Sequence, residues 1–210
     1  MDLLIITNYD EDHVDGLPNL LDNCNVQKIL RNRNVTPLEI KSLKTDTGMG
    51  KGIDLLVDVL ERKFTAPAAH VRTADFSYEA YCNKYIKGEI EDENNLSLVL
   101  EANCNGITFL FCGDMECKGW DALGSAIYPA LNRTRILMAP HHGRVSGCWE
   151  PFKEHLTQNI WTIISDKEIA HETQKTIDFY RSVSSGQDFA GEFRQVLTTR
   201  TDGPLTFTCG

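Results

Sequence analysis

The run Leu3-Leu4-Ile5-Ile6-Thr7-Asn8-Tyr9-Asp10-Glu11-Asp12-His13 decides how the rest of the chain is read. A short Ile/Leu stretch gives way at once to a polar, acidic turn, the pattern of a buried strand that delivers a loop from its end. Asp10, Asp12 and His13 put three ionisable groups into four residues. Their repulsion and desolvation are costly unless a cation compensates. The segment is therefore predicted to hold a metal ion, with Asn8, Asp10, Asp12 and His13 as candidate ligands.

Downstream, residues 16–23 (GLPNLLDN) read as a helix with Pro18 in its first turn, and residues 26–30 as the next strand, which is βαβ logic. Thr36-Pro37-Leu38-Glu39 combines a capping residue, Pro at the first helical position and Glu at the third, so a helix is predicted through about Lys44. Gly48, Gly50 and Gly52 then interrupt the chain before a helix over residues 53–62, whose Leu55, Leu56, Val59 and Leu60 share one face. The GMGKG stretch lacks the Gly-Lys-Ser/Thr ending and the preceding strand of a phosphate loop and reads as a linker. Residues 65–95 read as an irregular, solvated loop with an acidic patch at residues 89–93.

Residues 96–102 and 107–112 are strand-like runs around Asn105-Gly106, a strong hairpin signal, and the second ends at Gly113-Asp114. Residues 136–139 form an apolar strand that ends at Pro140-His141-His142-Gly143, and residues 160–165 another that ends near Asp166 and His171. A closing hairpin is expected from residues 194–199, a Thr201-Asp202-Gly203-Pro204 turn and residues 205–209.

Four strands thus end in polar clusters: Asn8/Asp10/Asp12/His13, Asp114, His141/His142 and His171. In layered α/β folds ligands collect at strand ends, so residues distant in sequence converge there. Oxygen and imidazole donors without thiolates suit Zn²⁺, Mn²⁺ or Fe in sites that keep positions open for water and substrate. Taken singly, Gly113-Asp114 is also a common turn and His141-His142-Gly143 a helix cap; their weight comes from co-occurrence. His70 and His155 lie outside any such cluster and read as structural, while Glu116, Asp166 and Glu172 support the site or are merely solvated.

Composition narrows the setting. With 210 residues, 41% hydrophobic and 24% charged, the chain fits one domain over residues 1–210. It has no apolar stretch near the roughly 20 residues that cross a bilayer, and its start lacks a basic region and cleavage site. A cytoplasmic protein is expected. The seven cysteines form an odd set without a CxxC pair, so they read as reduced packing residues. A net charge of −9 argues against a sequence-independent nucleic-acid coat, although bound cations would offset carboxylates where a phosphate must approach.

Together the motifs resemble the metallo-β-lactamase superfamily, and most closely the domain of that kind in ComEC-type competence proteins. The resemblance runs over nearly the whole chain. The superfamily's His-x-His-x-Asp-His, which in the ComEC-type branch is His-x-Asp-x-Asp-His with a following small residue, Gly and Leu, stands here as residues 8–17. The branch's Asn-Asn-x-Ser-x-Val-Leu strand stands as residues 94–100, its Gly-Asp-x-Glu as residues 113–116 and its Pro-His-His-Gly as residues 140–143. The late Ser-to-His segment stands as Ser165 to His171, and the closing Thr-x-x-x-Gly as Thr199 to Gly203.

The resemblance implies an α/β fold of the αββα sandwich type. It also implies a metal site of Asp12, His13, Asp114 and His171, with Asp114 bridging to a second site served by Asn8, Asp10 and the His141/His142 pair. Asp12, Asp114 and His141 are the implied catalytic residues. One or two Zn²⁺ or Mn²⁺ ions would activate water toward a phosphodiester, with DNA or RNA as substrate. Two departures stand out. Asn8 replaces the first His, and an amide oxygen is a weaker ligand than imidazole. The strands that usually precede the motif are missing, so one sheet is expected to be incomplete unless a partner chain, a dimer mate or an upstream segment completes it. These departures and the charge favour the alternative, a fold-preserving binding or structural subunit with an impaired metal site. A lactonase or β-lactamase ranks below both, since no secretory route or acyl-substrate pocket is marked.

Overall fold

The computed structural model describes residues 1–44, 48–66, 73, 75–169 and 174–208. Strand β1 (Leu4–Ile5) is followed by helices α1 (Glu11–Val14) and α2 (Leu17–Asn23), and β2 (Ile29–Leu30) returns parallel to β1, as the βαβ pattern requires. Both strands are shorter than predicted. Helix α3 (Pro37–Leu43) opens with the complete capping box: the Thr36 hydroxyl accepts from Glu39 N, and the Glu39 carboxylate accepts from Thr36 N. Helix α4 (Lys51–Arg62) begins earlier than predicted and takes Gly52 into its first turn. A Cβ at Gly52 would lie 2.2 Å from the Val14 carbonyl oxygen, so the glycine is what lets α4 pass against α1. Ile6, Val14, Leu17, Ile40, Ile53, Leu56 and Leu60 close a core between these helices and one face of the β1–β2 pair.

The second part is a mixed sheet. Strands β3 (Phe76–Tyr81), β4 (Val99–Cys104) and β5 (Ile107–Phe111) are antiparallel neighbours, and the β4–β5 hairpin turns through Asn105 and Gly106 at φ of 47° and 82°. After α5 (Cys117–Leu123) and α6 (Tyr128–Arg133) comes β6 (Ile136–Met138). After α7 (Phe152–His155) comes β7 (Trp161–Ile164), and after α8 (Ile177–Ser182) the short hairpin β8 (Gln187–Phe189) and β9 (Glu192–Arg194). Strand β10 (Val196–Thr198) and the single turn α9 (Thr199–Asp202) follow. The sheet runs β10-β7-β6-β5-β4-β3, parallel from β5 through β10. The chain is thus α/β with a six-stranded mixed sheet.

One face of that sheet, through Val99, Leu110, Leu137, Ile164 and Val196, packs beneath the aromatic layer of Trp120, Trp149, Phe152 and Tyr180 carried by or beside α5, α7 and α8. The other face meets Leu3, Ile5 and Leu30 of the small β1–β2 sheet through Leu98, Leu100 and Ala102. Beyond the small sheet, Leu205 and Phe207 lie over Phe109, Met138 and Ile163. Among the described residues no helix is long and apolar enough to cross a membrane, and the six described cysteines are free.

Three expectations need correction. Residues 65–95 are not loop throughout: Phe76–Tyr81 forms edge strand β3, because Phe76 and buried Tyr78 find an apolar neighbour in Ala102 although the surrounding segment is polar. Residues 94–96 form a 3₁₀ turn before β4 rather than the start of a strand. Among the described residues the closing hairpin does not form. Val196 and Leu197 are buried on opposite faces and pair in parallel with β7. The Asp202 carboxylate meanwhile accepts from Thr198 N and pairs with Arg194, so the predicted turn residues end α9 instead. The hairpin of this region lies upstream, at Ala190-Gly191.

Candidate metal centre

The ends of β1, β5 and β6 each present a polar loop, and the parallel direction of β5, β6 and β7 sends their C-terminal ends to one edge of the sheet. There Asp12, His13, Asp114 and His142 each offer a ligand atom, and the four atoms lie within 4.8 Å of one another. His13 Nε2 is 3.1 Å from Asp114 Oδ2, and His142 Nε2 is 3.8 Å from Asp114 Oδ1. A tetrahedral ion with bonds near 2.1 Å spaces its ligands about 3.4 Å apart, so these separations are of the right scale.

Polar satisfaction at these atoms also fits a cation. His13 Nε2 is buried, and its contact with Asp114 is not directed as a hydrogen bond, which leaves the nitrogen without a hydrogen-bond partner. The carbonyl oxygen of Ser165, 2.8 Å from His142 Nδ1, requires that nitrogen to carry a proton, so in the neutral ring the lone pair is on Nε2. Such an outer hydrogen bond is how metal-binding imidazoles are oriented. Asp114 is 6% exposed, and its ion-pair partners among the described residues are imidazoles only. Burial pushes its pKa up, but the facing imidazoles outweigh burial and hold the carboxyl below its ordinary value. Burial pulls His13 down, and the carboxylates of Asp114, Asp12 and Asp10 leave it raised. The donor set of two carboxylates and two imidazoles suits Zn²⁺ or Mn²⁺.

The cluster stands on a loop fixed from three sides. Asn8 is buried; its Nδ2 donates to Asn94 Oδ1 and Ser97 Oγ, and its Oδ1 accepts from Asp10 N. Asp10 caps α1 through Glu11 N and pairs with Lys44 Nζ at 2.8 Å. Burial raises Asp10, but Lys44 outweighs it and holds the carboxyl low; Lys44, also paired with Glu93, is correspondingly raised despite its burial. Glu11 accepts from Gly52 N and Ile53 N at the start of α4. A Cβ at Gly50 would lie 2.1 Å from that carboxylate. The glycines of the GMGKG stretch therefore do receive an anion at a helix N-terminus, and it is the chain's own Glu11.

Of the eight predicted ligands, the structure brings together Asp12, His13, Asp114 and His142. It turns Asn8 and Asp10 toward protein partners. His141 stands beside the cluster: Nδ1 is 3.0 Å from Glu116 Oε1, Nε2 accepts from Arg144 Nη1 at 3.0 Å, and Nε2 is 3.8 Å from Asp114. His171, like Glu172 and His70, lies outside the described residues. Asp166 pairs with Arg200, and His155 stacks on Tyr128 at 3.7 Å between ring centroids. Sequence reasoning missed Glu11 as an anchor, and missed Lys44 and Arg144. Only Arg144, next to the His-His-Gly run, carried a positional signal. Compared with known families and with curated proteins, the chain matches no family model and no curated sequence.

Proposed function

We propose that the protein is a metal-dependent hydrolase of the metallo-β-lactamase fold that cleaves a phosphodiester, with DNA or RNA as the substrate class. One observation carries the reading: four ligand atoms from three separate segments converge within 4.8 Å, with His13 Nε2 lacking a hydrogen-bond partner and His142 Nδ1 held by the Ser165 carbonyl. The succession of helices, small sheet, large sheet and helices supports reading the fold as an αββα sandwich. The sequence motifs support the same family.

A bound Zn²⁺ or Mn²⁺ would supply Lewis acidity toward a phosphoryl oxygen and lower the pKa of water. Asp12, His13, Asp114 and His142 are the residues that would hold it. Asp114, buried at the centre, fixes the distances, and the Ser165 carbonyl keeps His142 in the ligating tautomer. Asp12 is the exposed member of the set and marks the side from which substrate enters. Glu116 orients His141 beside the cluster.

The second reading, a binding or structural module with an impaired site, is favoured by the protein partners of Asn8 and of Asp10 Oδ1, which engage those residues within the fold. Elemental analysis together with Mn²⁺- or Zn²⁺-dependent cleavage of a single-stranded oligonucleotide and of bis(p-nitrophenyl) phosphate separates them. Bound metal with turnover that Asp114→Ala abolishes is expected. Metal-loaded protein that cleaves neither substrate would overturn the hydrolase reading, and protein that takes up no metal would favour the module.

A further inference from the structure

We propose that Arg144 is the substrate-anion-binding residue of this centre, its guanidinium taking the non-bridging oxygens of a phosphoryl group held at the Asp12–His13–Asp114–His142 cluster. The inference rests on the hydrolase reading above and adds to it a residue outside the predicted ligand set.

The backbone places Arg144 there at a cost. His141, His142 and Gly143 all have left-handed φ values, of 49°, 52° and 73°. Non-glycine residues in this region carry strain that persists only where surrounding contacts impose it. Here His141 N donates to Gly113 O, Arg144 N donates to His141 O, and the Thr176 hydroxyl donates to Gly143 O. The turn sends His142 into the cluster and lays the Arg144 guanidinium against His141 Nε2, the nitrogen that also lies 3.8 Å from Asp114 Oδ2.

The guanidinium is not neutralised. In a chain of net charge −9, Arg144 has no carboxylate partner among the described residues, and its buried Nε has no hydrogen-bond partner. Lys44, which anchors the loop, is engaged by Asp10 and Glu93, and Arg200 by Asp166. Nη1 donates to His141 Nε2, and the remaining N–H groups of a guanidinium suit phosphoryl oxygens. An acidic protein that acts on a phosphodiester needs a fixed positive group at the point of approach. Arg144 stands beside the cluster through His141.

The test is titration of the Mn²⁺-loaded full chain with inorganic phosphate, followed by phosphorus relaxation, in wild type and in Arg144→Ala, Arg144→Lys and Arg144→Gln. Gln retains an N–H donor for His141 Nε2 but removes the charge, so it spares a merely structural role. Arg144→Ala and Arg144→Gln are expected to weaken phosphate about ten-fold or more, while Mn²⁺ affinity stays within about two-fold. Arg144→Lys is expected to retain part of the phosphate affinity. Unchanged phosphate binding in Arg144→Ala, full rescue by Gln, or a metal-loaded wild type that binds no phosphate would overturn the inference and leave the metal reading standing. A wild type that binds no Mn²⁺ would overturn both.

Discussion

Asn8, Asp10 and Glu11 belong to the same short segment as Asp12 and His13, yet the protein treats the two groups in opposite ways. The first three are consumed by the fold: Asn8 by Asn94, Ser97 and the Asp10 amide, Asp10 by Lys44, Glu11 by the first turn of α4. Asp12 and His13, one step further along α1, meet Asp114 and His142, and there His13 Nε2 is left without a hydrogen-bond partner. Density of polar groups does not separate the halves. Satisfaction of their atoms does, because a buried donor or acceptor without a partner is costly to the fold alone.

The strongest way to break this contrast is Asp114→Ala. If the second half is the metal-binding half, removing its central carboxylate should lower metal affinity on the order of a hundred-fold or more and abolish turnover. Metal titration followed by colorimetric readout of uptake measures it. Retained affinity would place the ligands elsewhere.

Lys44→Met probes the first half. Lys44 is buried between Asp10 and Glu93, and its loss leaves two carboxylates facing each other without a cation. Because Asp10 is half exposed, we expect a loss of about 1–3 kcal/mol rather than the larger cost of a fully buried orphan charge. Urea unfolding of the metal-free protein measures it. Metal affinity should change far less than in Asp114→Ala, and a comparable drop would show that Asp10 belongs to the ligand set after all.

Asn8→Ala should cost about 1–2 kcal/mol, since it strips a buried amide whose two ends are bonded and leaves Ser97 and the Asp10 amide with fewer partners. The number of ions bound per chain, read by elemental analysis, should not change. A fall in that number would move Asn8 from scaffold to ligand.

The same contrast explains what the sequence disclosed. The capping box of α3, the Asn-Gly hairpin and the parallel βαβ start, though with shorter strands, rest on local chemistry and stand. Asp12, His13 and Asp114 do meet, but the imidazole beside them among the described residues is His142, which the sequence reading gave to a second site, while His171 lies outside the described residues. What escaped is non-local. Whether Asp10 points to an ion or to an ammonium depends on Lys44, 34 residues away. Which of His141 and His142 enters the cluster depends on left-handed backbone angles and on the Ser165 carbonyl. Strand β3 and the misread C-terminal hairpin likewise depended on partners across the sheet.

The smallest expected effect is also the finest division of the motif. Glu11 sits immediately before Asp12, but its carboxylate accepts from Gly52 N at 2.8 Å and from Ile53 N at 3.1 Å. It therefore acts as the anion at the start of α4, where the exposed amides and the helix dipole favour negative charge. Glu11→Gln removes the charge and keeps only one of the two acceptor oxygens, so unfolding free energy should fall by about 1 kcal/mol, measured by urea titration at low ionic strength. Added salt should shrink the difference, because a charge–dipole effect is screened. Metal affinity should be untouched. If Glu11→Gln weakens metal more than it weakens the fold, the boundary between scaffold and site lies before Glu11 rather than after it, and the loop works as one electrostatic unit.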